Sequence, residues 1–277
     1  MRRAIAVVMG MTCAGAAAAR GQGVMIAPTA VFIDHASRSG SLLLYNPTTE
    51  PAEVTIGVMF GYPATDSAGN IFLVTPDSSD PSLPSAARWL QPFPRRLTVM
   101  PLERQTVRLL ARPPAGLPDG EYWARLVVSA KGGTLPVEGV PDTAGIQVGL
   151  TLEVRSLIGV YYRKGAMTSG AQLGDVSAAL VADTLEVRAE ITRTGTAAFL
   201  GTARGQLVDS TGRVRAEFSS PIAAYHTIAP RFTAFAGVLP PGPYRLRLTV
   251  AAGRSDVDAR YVLRAPAVSD TVEIRVP

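Results

Sequence analysis

From Val24 onward, short runs of apolar residues at every second position alternate with clusters of Gly, Pro, Asn, Asp and Ser. Period-two alternation buries one face of a strand, and the clusters between runs supply the turns. The pattern predicts an all-β protein. Expected strands in the first half are Ala30–Ile33, Gly40–Tyr45, Ala52–Met59, Leu97–Val99, Gln105–Ala111, Gly120–Ser129 and Ile146–Tyr162. In the second half they are Thr184–Arg193, Phe199–Val208, Arg213–Phe218, Pro243–Ala251, Val257–Leu263 and Thr271–Val276. No segment carries a long apolar stripe at helical spacing. The alanines around Ser177–Ala182 hold one helical turn at most.

Asp66-Ser67-Ala68-Gly69-Asn70 and Asp209-Ser210-Thr211-Gly212 read as hairpin turns, because each puts a side-chain cap and a glycine where the chain must reverse. Pro76 to Pro84, rich in Pro, Ser and Asp, reads as a loop. Lys164–Gly174 is glycine-rich and lacks alternation, so it is expected to be the linker between two domains. The expected division is residues 22–164 and 165–277, two immunoglobulin-like β-sandwich domains in tandem. A faint repeat supports the tandem reading. Leu117-Pro118-Asp119-Gly120-Glu121-Tyr122 leads into a strand in one half, and Leu239-Pro240-Pro241-Gly242-Pro243-Tyr244 does so in the other. Each suits a tyrosine corner, whose hydroxyl bonds back to the upstream backbone.

The first residues stand outside this pattern. Arg2 and Arg3 precede an apolar stretch, Ala4–Ala19, that ends in small residues. This reads as a secretory signal over residues 1–21, too short for a comfortable membrane span, with cleavage after Ala18, Ala19 or Gly21. Met11 and Thr12 make Cys13 a poor lipidation site. Loss of Arg2, Arg3 and Arg20 lowers the formal charge from +5 to +2, which argues against nucleic acid as a partner. Cys13 is the only cysteine, so the mature chain forms no disulfide. No second apolar run is long enough to span a bilayer, and a soluble exported protein is expected.

The search for chemistry returns little. His35 and His226 are the only histidines, one in each half, and neither accompanies a Gly-x-Ser-x-Gly elbow or a second ligand at metal spacing. No phosphate-cradling glycine loop is present. The expectation is a non-catalytic protein without cofactor or metal.

The informative segment is Ile146–Tyr162. Ile146, Val148, Leu150, Leu152 and Val154 alternate with Gln147, Gly149, Thr151, Glu153 and Arg155. Five aliphatic side chains thus share one face of a long strand. That face either lines the protein's own core or is offered to another chain by strand addition.

The motifs of the first half, in their order, resemble the N-terminal domain of the periplasmic pilus-assembly (fimbrial) chaperones, the PapD-like family. Pro28-Thr29-Ala30-Val31 resembles the first strand, and Ser41-Leu42-Leu43-Leu44-Tyr45-Asn46-Pro47 with Glu50-Pro51 resembles the second strand and its turn. Trp89-Leu90, Pro94, Leu97, Pro101 and Glu103-Arg104-Gln105-Thr106-Val107-Arg108 resemble the middle of the domain. The run Leu117–Tyr122, then Arg155 and Ile158–Arg163, resembles its end. The resemblance implies a periplasmic chaperone that donates its last strand to a secreted pilus subunit lacking one, with an outer-membrane usher as a possible further partner. Ile146, Val148, Leu150 and Leu152 then stand as donor residues. Arg155 matches one of two basic residues that anchor the subunit's C-terminal carboxylate. The other basic position falls at Thr29 or Ala30, which carry no charge, leaving Arg38 or Arg163 as substitutes. Gly159 stands where relatives often have proline. The alternative function is a structural or adhesive β-sandwich protein of the cell envelope. For Arg155 the alternative is an exposed strand residue paired to a neighbouring Glu.

Overall fold

A computed structural model describes residues 23–77, 80, 82–136 and 149–277. Its first part holds β1 (Met25–Ala27), β2 (Ala30–Asp34), β3 (Ser39–Tyr45), β4 (Ala52–Met59), β5 (Tyr62–Thr65), β6 (Ile71–Val74), β7 (Leu90–Phe93), β8 (Arg96–Val99), β9 (Arg104–Ala111), β10 (Gly120–Pro136) and β11 (Gly149–Lys164). One sheet runs β1-β3-β9-β7 and the facing sheet β2-β11-β10-β4-β8, while β5 and β6 form a separate hairpin. The alternation behaves as the sequence predicts. In β4, Ala52, Val54 and Ile56 are buried while Glu53, Thr55 and Gly57 face out. Leu42, Leu44, Val107, Leu109, Leu126 and Tyr162 complete the middle of this core.

The second part holds β12 (Ser169–Val181), β13 (Thr184–Gly195), β14 (Phe199–Asp209), β15 (Val214–Ala224), β16 (Thr227–Ile228), β17 (Arg231–Phe235), β18 (Gly242–Ala252) and β19 (Val268–Val276). β13 pairs β12 on one edge and both β16 and β17 on the other; the facing sheet runs β15-β14-β18-β19. Leu185, Val187, Ile191, Leu207, Leu246 and Leu248 form its core. The protein is all-β, two immunoglobulin-like sandwiches in tandem.

Turn and corner chemistry follow the residues named above. Asp66 accepts from the amides of Ala68 and Asn70 at the β5–β6 turn, and Asp209 from those of Thr211 and Arg213 at the β14–β15 turn. The hydroxyl of Tyr122 donates to Pro118 O at 3.0 Å and that of Tyr244 to Pro240 O at 2.8 Å. Gly120 and Gly242 open the two strands at φ 151° and 147°, a region closed to residues with a Cβ. Each sandwich therefore has its tyrosine corner. Asn46 is fully buried, with its amide nitrogen donating to Glu50 O and Val99 O, and its oxygen accepting from Thr48. All of its polar atoms are satisfied.

β1, β5, β6, β7, β16 and β17 are strands where none was expected, and two further segments change class. Only Gly165–Thr168 separates β11 from β12, so Ser169–Gly174, expected as linker, is strand. Its small residues conceal the strand. Gly174 packs beside Glu190 and Gly170 beside Thr194, so pairing with β13 overrides weak local propensity. Val257–Leu263, expected as strand, is a loop with a 3-10 turn at Ala259–Tyr261, capped by Asp258. Part of it packs between the sandwiches: Val257 joins the inter-sandwich cluster, and Tyr261 stacks on Phe32 at 4.5 Å.

The sandwiches meet on a shared apolar cluster of Phe60, Trp123, Tyr161, Leu200, Tyr225 and Val257. Buried Glu121 ties it together. It pairs with Arg163 at 2.8 Å, accepts from Trp123 Nε1 at 2.9 Å, and accepts from the Ala198 amide of the second sandwich at 2.9 Å. Arg163 also donates to Tyr261 O at 2.6 Å. A buried carboxylate with this many donors is fully compensated.

Candidate functional site

β11 has two neighbours along only part of its length. It pairs with β10 from Gly149 to Lys164, but β2 covers its other edge only from Gly159 to Arg163. From Gly149 to Ile158 that second edge has no strand beside it among the described residues. A row of unpaired backbone groups of this length is a template for another strand.

The register fixes which side chains accompany this edge. Val154, Ser156, Ile158, Val160 and Tyr162 stand opposite Ala130, Val128, Leu126, Ala124 and Tyr122, the inward face of β10. Even-numbered residues of β11 therefore share the core face, and Leu152 continues the row. Val160 and Tyr162 are buried, whereas Val154 is 38 % and Leu152 41 % exposed. The strand carries its core face beyond the sandwich that would cover it.

Of the sequence-derived donor residues, Leu152 lies on this exposed face. Leu150 lies in β11 opposite Leu135. Ile146 and Val148 lie outside the described residues. Arg155 faces the opposite side and is exposed, with its Nε 2.8 Å from Glu153 two residues earlier. The hydrogen bond from Arg155, with a further one from Ser129, holds the Glu153 carboxyl below its usual range. Arg155 is thus an exposed strand residue paired to a neighbouring Glu. The proposed substitutes for the missing basic position are engaged elsewhere: Arg163 with Glu121, and Arg38 with the carbonyl of His35.

The free edge ends at a cleft of about 530 Å³ between the sandwiches. Thr29, Ala30, Leu157, Ile158 and Gly159 line it from one side, Ile71, Phe72 and Leu73 of β6 from another, and Arg254, Asp256 and Val257 from the second sandwich. Two arginines reach it. Arg254 is neutralised by Asp256 through two contacts, 2.9 and 2.6 Å. Among the described residues Arg125 has only neutral acceptors: Nε donates to Gly61 O at 3.1 Å and Nη2 to the Tyr225 hydroxyl at 3.0 Å. The Tyr225 hydroxyl in turn donates to that of Tyr161 at 2.6 Å. Burial pushes the Tyr161 phenol up and the Tyr225 phenol well up, so both remain neutral donors. Arg125 was not among the residues read from the sequence, because no local signal marks a strand residue opposite Gly159 as lining a cleft.

His35 Nδ1 pairs with the Tyr162 hydroxyl, and His226 lies edge-on to Tyr62 at 4.7 Å and Trp123 at 6.0 Å. Among the described residues no group of three or more His, Cys, Asp or Glu side chains is placed to hold a metal ion, and no helix is long and apolar enough to cross a membrane.

No family model matches the sequence, and no curated protein matches it. Solved structures similar to the chain include the YadV chaperone, at 14 % identity over 91 % of this chain and 99 % of that one, TM-score 0.45. They also include the CsuC–CsuE chaperone–tip adhesion subunit pre-assembly complex from the archaic chaperone-usher Csu pili of Acinetobacter baumannii, at 12 % identity over 91 % and 98 %, TM-score 0.45. A third is the SafA pilin–SafB chaperone complex of Salmonella enterica, at 14 % identity over 92 % and 96 %, TM-score 0.41. The first is named as a chaperone, and the other two as a chaperone with a pilus tip subunit and a chaperone with a pilin.

Proposed function

We propose that this protein is a non-catalytic periplasmic chaperone that caps a secreted pilus subunit by donating β11 during pilus assembly. The domain boundary in this reading lies at Lys164–Gly165, and residues 1–21 are the export signal. An outer-membrane usher is the expected downstream partner.

One observation supports the reading above the rest. β11 combines an edge free from Gly149 to Ile158 with core-face side chains, Leu152 and Val154, that its own sandwich leaves exposed. A subunit missing a strand needs both a hydrogen-bonding edge and alternate apolar side chains to close its groove. The competing role as a structural or adhesive module predicts the Ile146–Leu152 face buried in the protein's own core; the 41 % exposure of Leu152 favours strand donation over it.

In the proposed complex the subunit strand runs along the free edge, and its C-terminal carboxylate arrives at the cleft. Arg155 on β11 is the anchor implied by family resemblance, and Arg125 is the cation inside the cleft that has no carboxylate partner among the described residues. Guanidinium groups suit carboxylates because they offer paired N–H donors.

Mixing the purified protein with an immunoglobulin-like pilus subunit lacking its last strand tests the reading by size-exclusion chromatography. A stable one-to-one complex is expected, and Leu152→Glu should abolish it. Undiminished complex formation by Leu152→Glu would sink the proposal. Arg125→Ala and Arg155→Ala, compared in the same assay, assign the anchor.

A further inference from the structure

We infer that the cleft selects partner strands ending in a large apolar side chain, which seats against Ile71, Phe72 and Leu157 beside Arg125. The inference rests on the strand-donation reading and names the chemistry that the same site prefers.

Two adjacent apolar residues on a short hairpin strand stand open to solvent: Ile71 is 59 % and Phe72 48 % exposed. Leu157 on β11 is also about half exposed, and all three line one cleft. Exposed apolar residues that line one concavity mark a recognition surface more than scattered ones do.

The wall they form is held at both ends. At the hairpin root, Gly61 O accepts from Arg125. At its tip, Ser67 O accepts from Arg188, Gly69 O from the Arg231 amide, and the Thr65 hydroxyl from the Ala229 amide, all three donors belonging to the second sandwich. The tip lies so close that a Cβ at Gly69 would stand 2.7 Å from the Arg231 nitrogen. A wall tied to both sandwiches before binding loses little conformational freedom when a ligand arrives.

The edge geometry delivers a chain end to this wall. A strand paired to β11 meets β2 at Gly159, where Ala30 already occupies the next position. The incoming chain must leave the edge there, and the cleft opens at that rung, lined by Ile158, Gly159 and Ala30. Its last residue or two therefore enter the cleft. Charge favours the carboxyl end, since among the described residues Arg125 has no carboxylate partner while Arg254 is neutralised by Asp256. A volume of about 530 Å³ holds one large side chain with its terminal carboxylate.

The test uses synthetic peptides of about twelve residues, long enough to cover the free edge and reach the cleft. They share one alternating apolar sequence and a free carboxylate, and end in Phe or in Ala. Binding to the full chain is read by fluorescence polarisation. The wild type should bind the Phe-ended peptide about tenfold tighter, as expected for burying one large apolar side chain. The ratio should fall to about twofold or less in Ile71→Ser/Phe72→Ser and persist in Phe72→Leu. Equal binding of the two peptides by the wild type would overturn the inference. So would a ratio unchanged by the double substitution, provided circular dichroism shows that variant folded. Leu152→Glu separates the two levels: if it loses both peptides while the wild type shows no end preference, strand donation stands and the cleft inference falls. If the wild type binds neither peptide, both fall.

Discussion

The guanidinium of Arg125 lies directly over Gly159, so that a Cβ added there would stand 2.9 Å from Nη1 and 3.0 Å from the Tyr161 ring. The two residues are rung partners on β10 and β11. Absence of a side chain at 159 makes room for Arg125 to reach both Gly61 O and the Tyr225 hydroxyl. The bare position at 159 is the space that admits a cation to the cleft.

Gly159→Ala should force Arg125 to give up one of those two hydrogen bonds. The lost bond costs about 1 kcal/mol, offset in part by the lower chain entropy of alanine. Thermal unfolding should therefore shift little, while affinity for a carboxylate-ended partner strand falls clearly. A proportionate loss of both would contradict the spatial role given to Gly159.

Glu121→Ala removes a carboxylate whose side chain is fully buried and strands Arg163, which is 13 % exposed. Breaking one half of a buried pair typically costs about 3–5 kcal/mol. The Trp123 indole and the Ala198 amide lose their acceptor as well. Urea unfolding should show this loss. Replacing both members, Glu121→Leu with Arg163→Met, should recover much of it, because no uncompensated charge remains.

The two tyrosine corners should contribute independently. Tyr122→Phe and Tyr244→Phe each delete one hydroxyl-to-carbonyl bond, 3.0 and 2.8 Å long, at a cost of about 1 kcal/mol apiece. They stand in different sandwiches, so the double variant should lose the sum.

Burial raises the phenols of Tyr161 and Tyr225 above their ordinary value of 10.0. The folded state keeps both protons where the unfolded chain releases them. Their contribution to stability is complete below about pH 10 and is lost as pH climbs toward the raised folded values. An alkaline titration followed in the ultraviolet should show these two, among eight tyrosines, ionising only as the protein unfolds. Early ionisation of all eight would contradict the buried Tyr161–Tyr225 pair.

Leu152→Glu should leave stability within about 0.5 kcal/mol of the wild type, since the side chain is 41 % exposed. A large drop in the unfolding midpoint would place Leu152 in the protein's own core.

Local chemistry along the chain determined the all-β class, the tandem arrangement and both tyrosine corners. Strand alternation has a period of two residues, and a corner or capped turn spans four or five, so each is complete within one short window. Val257–Leu263 shows the limit of that window: the segment reads as a strand, but Val257 is buried in the cluster between the sandwiches, Ala259 is exposed and no ladder forms. β12 shows the converse, a real strand whose small residues gain their alternation only from pairing with β13. The site itself was decided by tertiary structure. Leu152 could be placed on an apolar face from spacing, but that the face is uncovered depends on β2 stopping at Gly159. Arg125 enters the cleft through cross-strand register, and Ile71 and Phe72 through a hairpin pinned to the second sandwich. Register, edge length and domain contact join residues far apart in the chain, and no short stretch of sequence contains them.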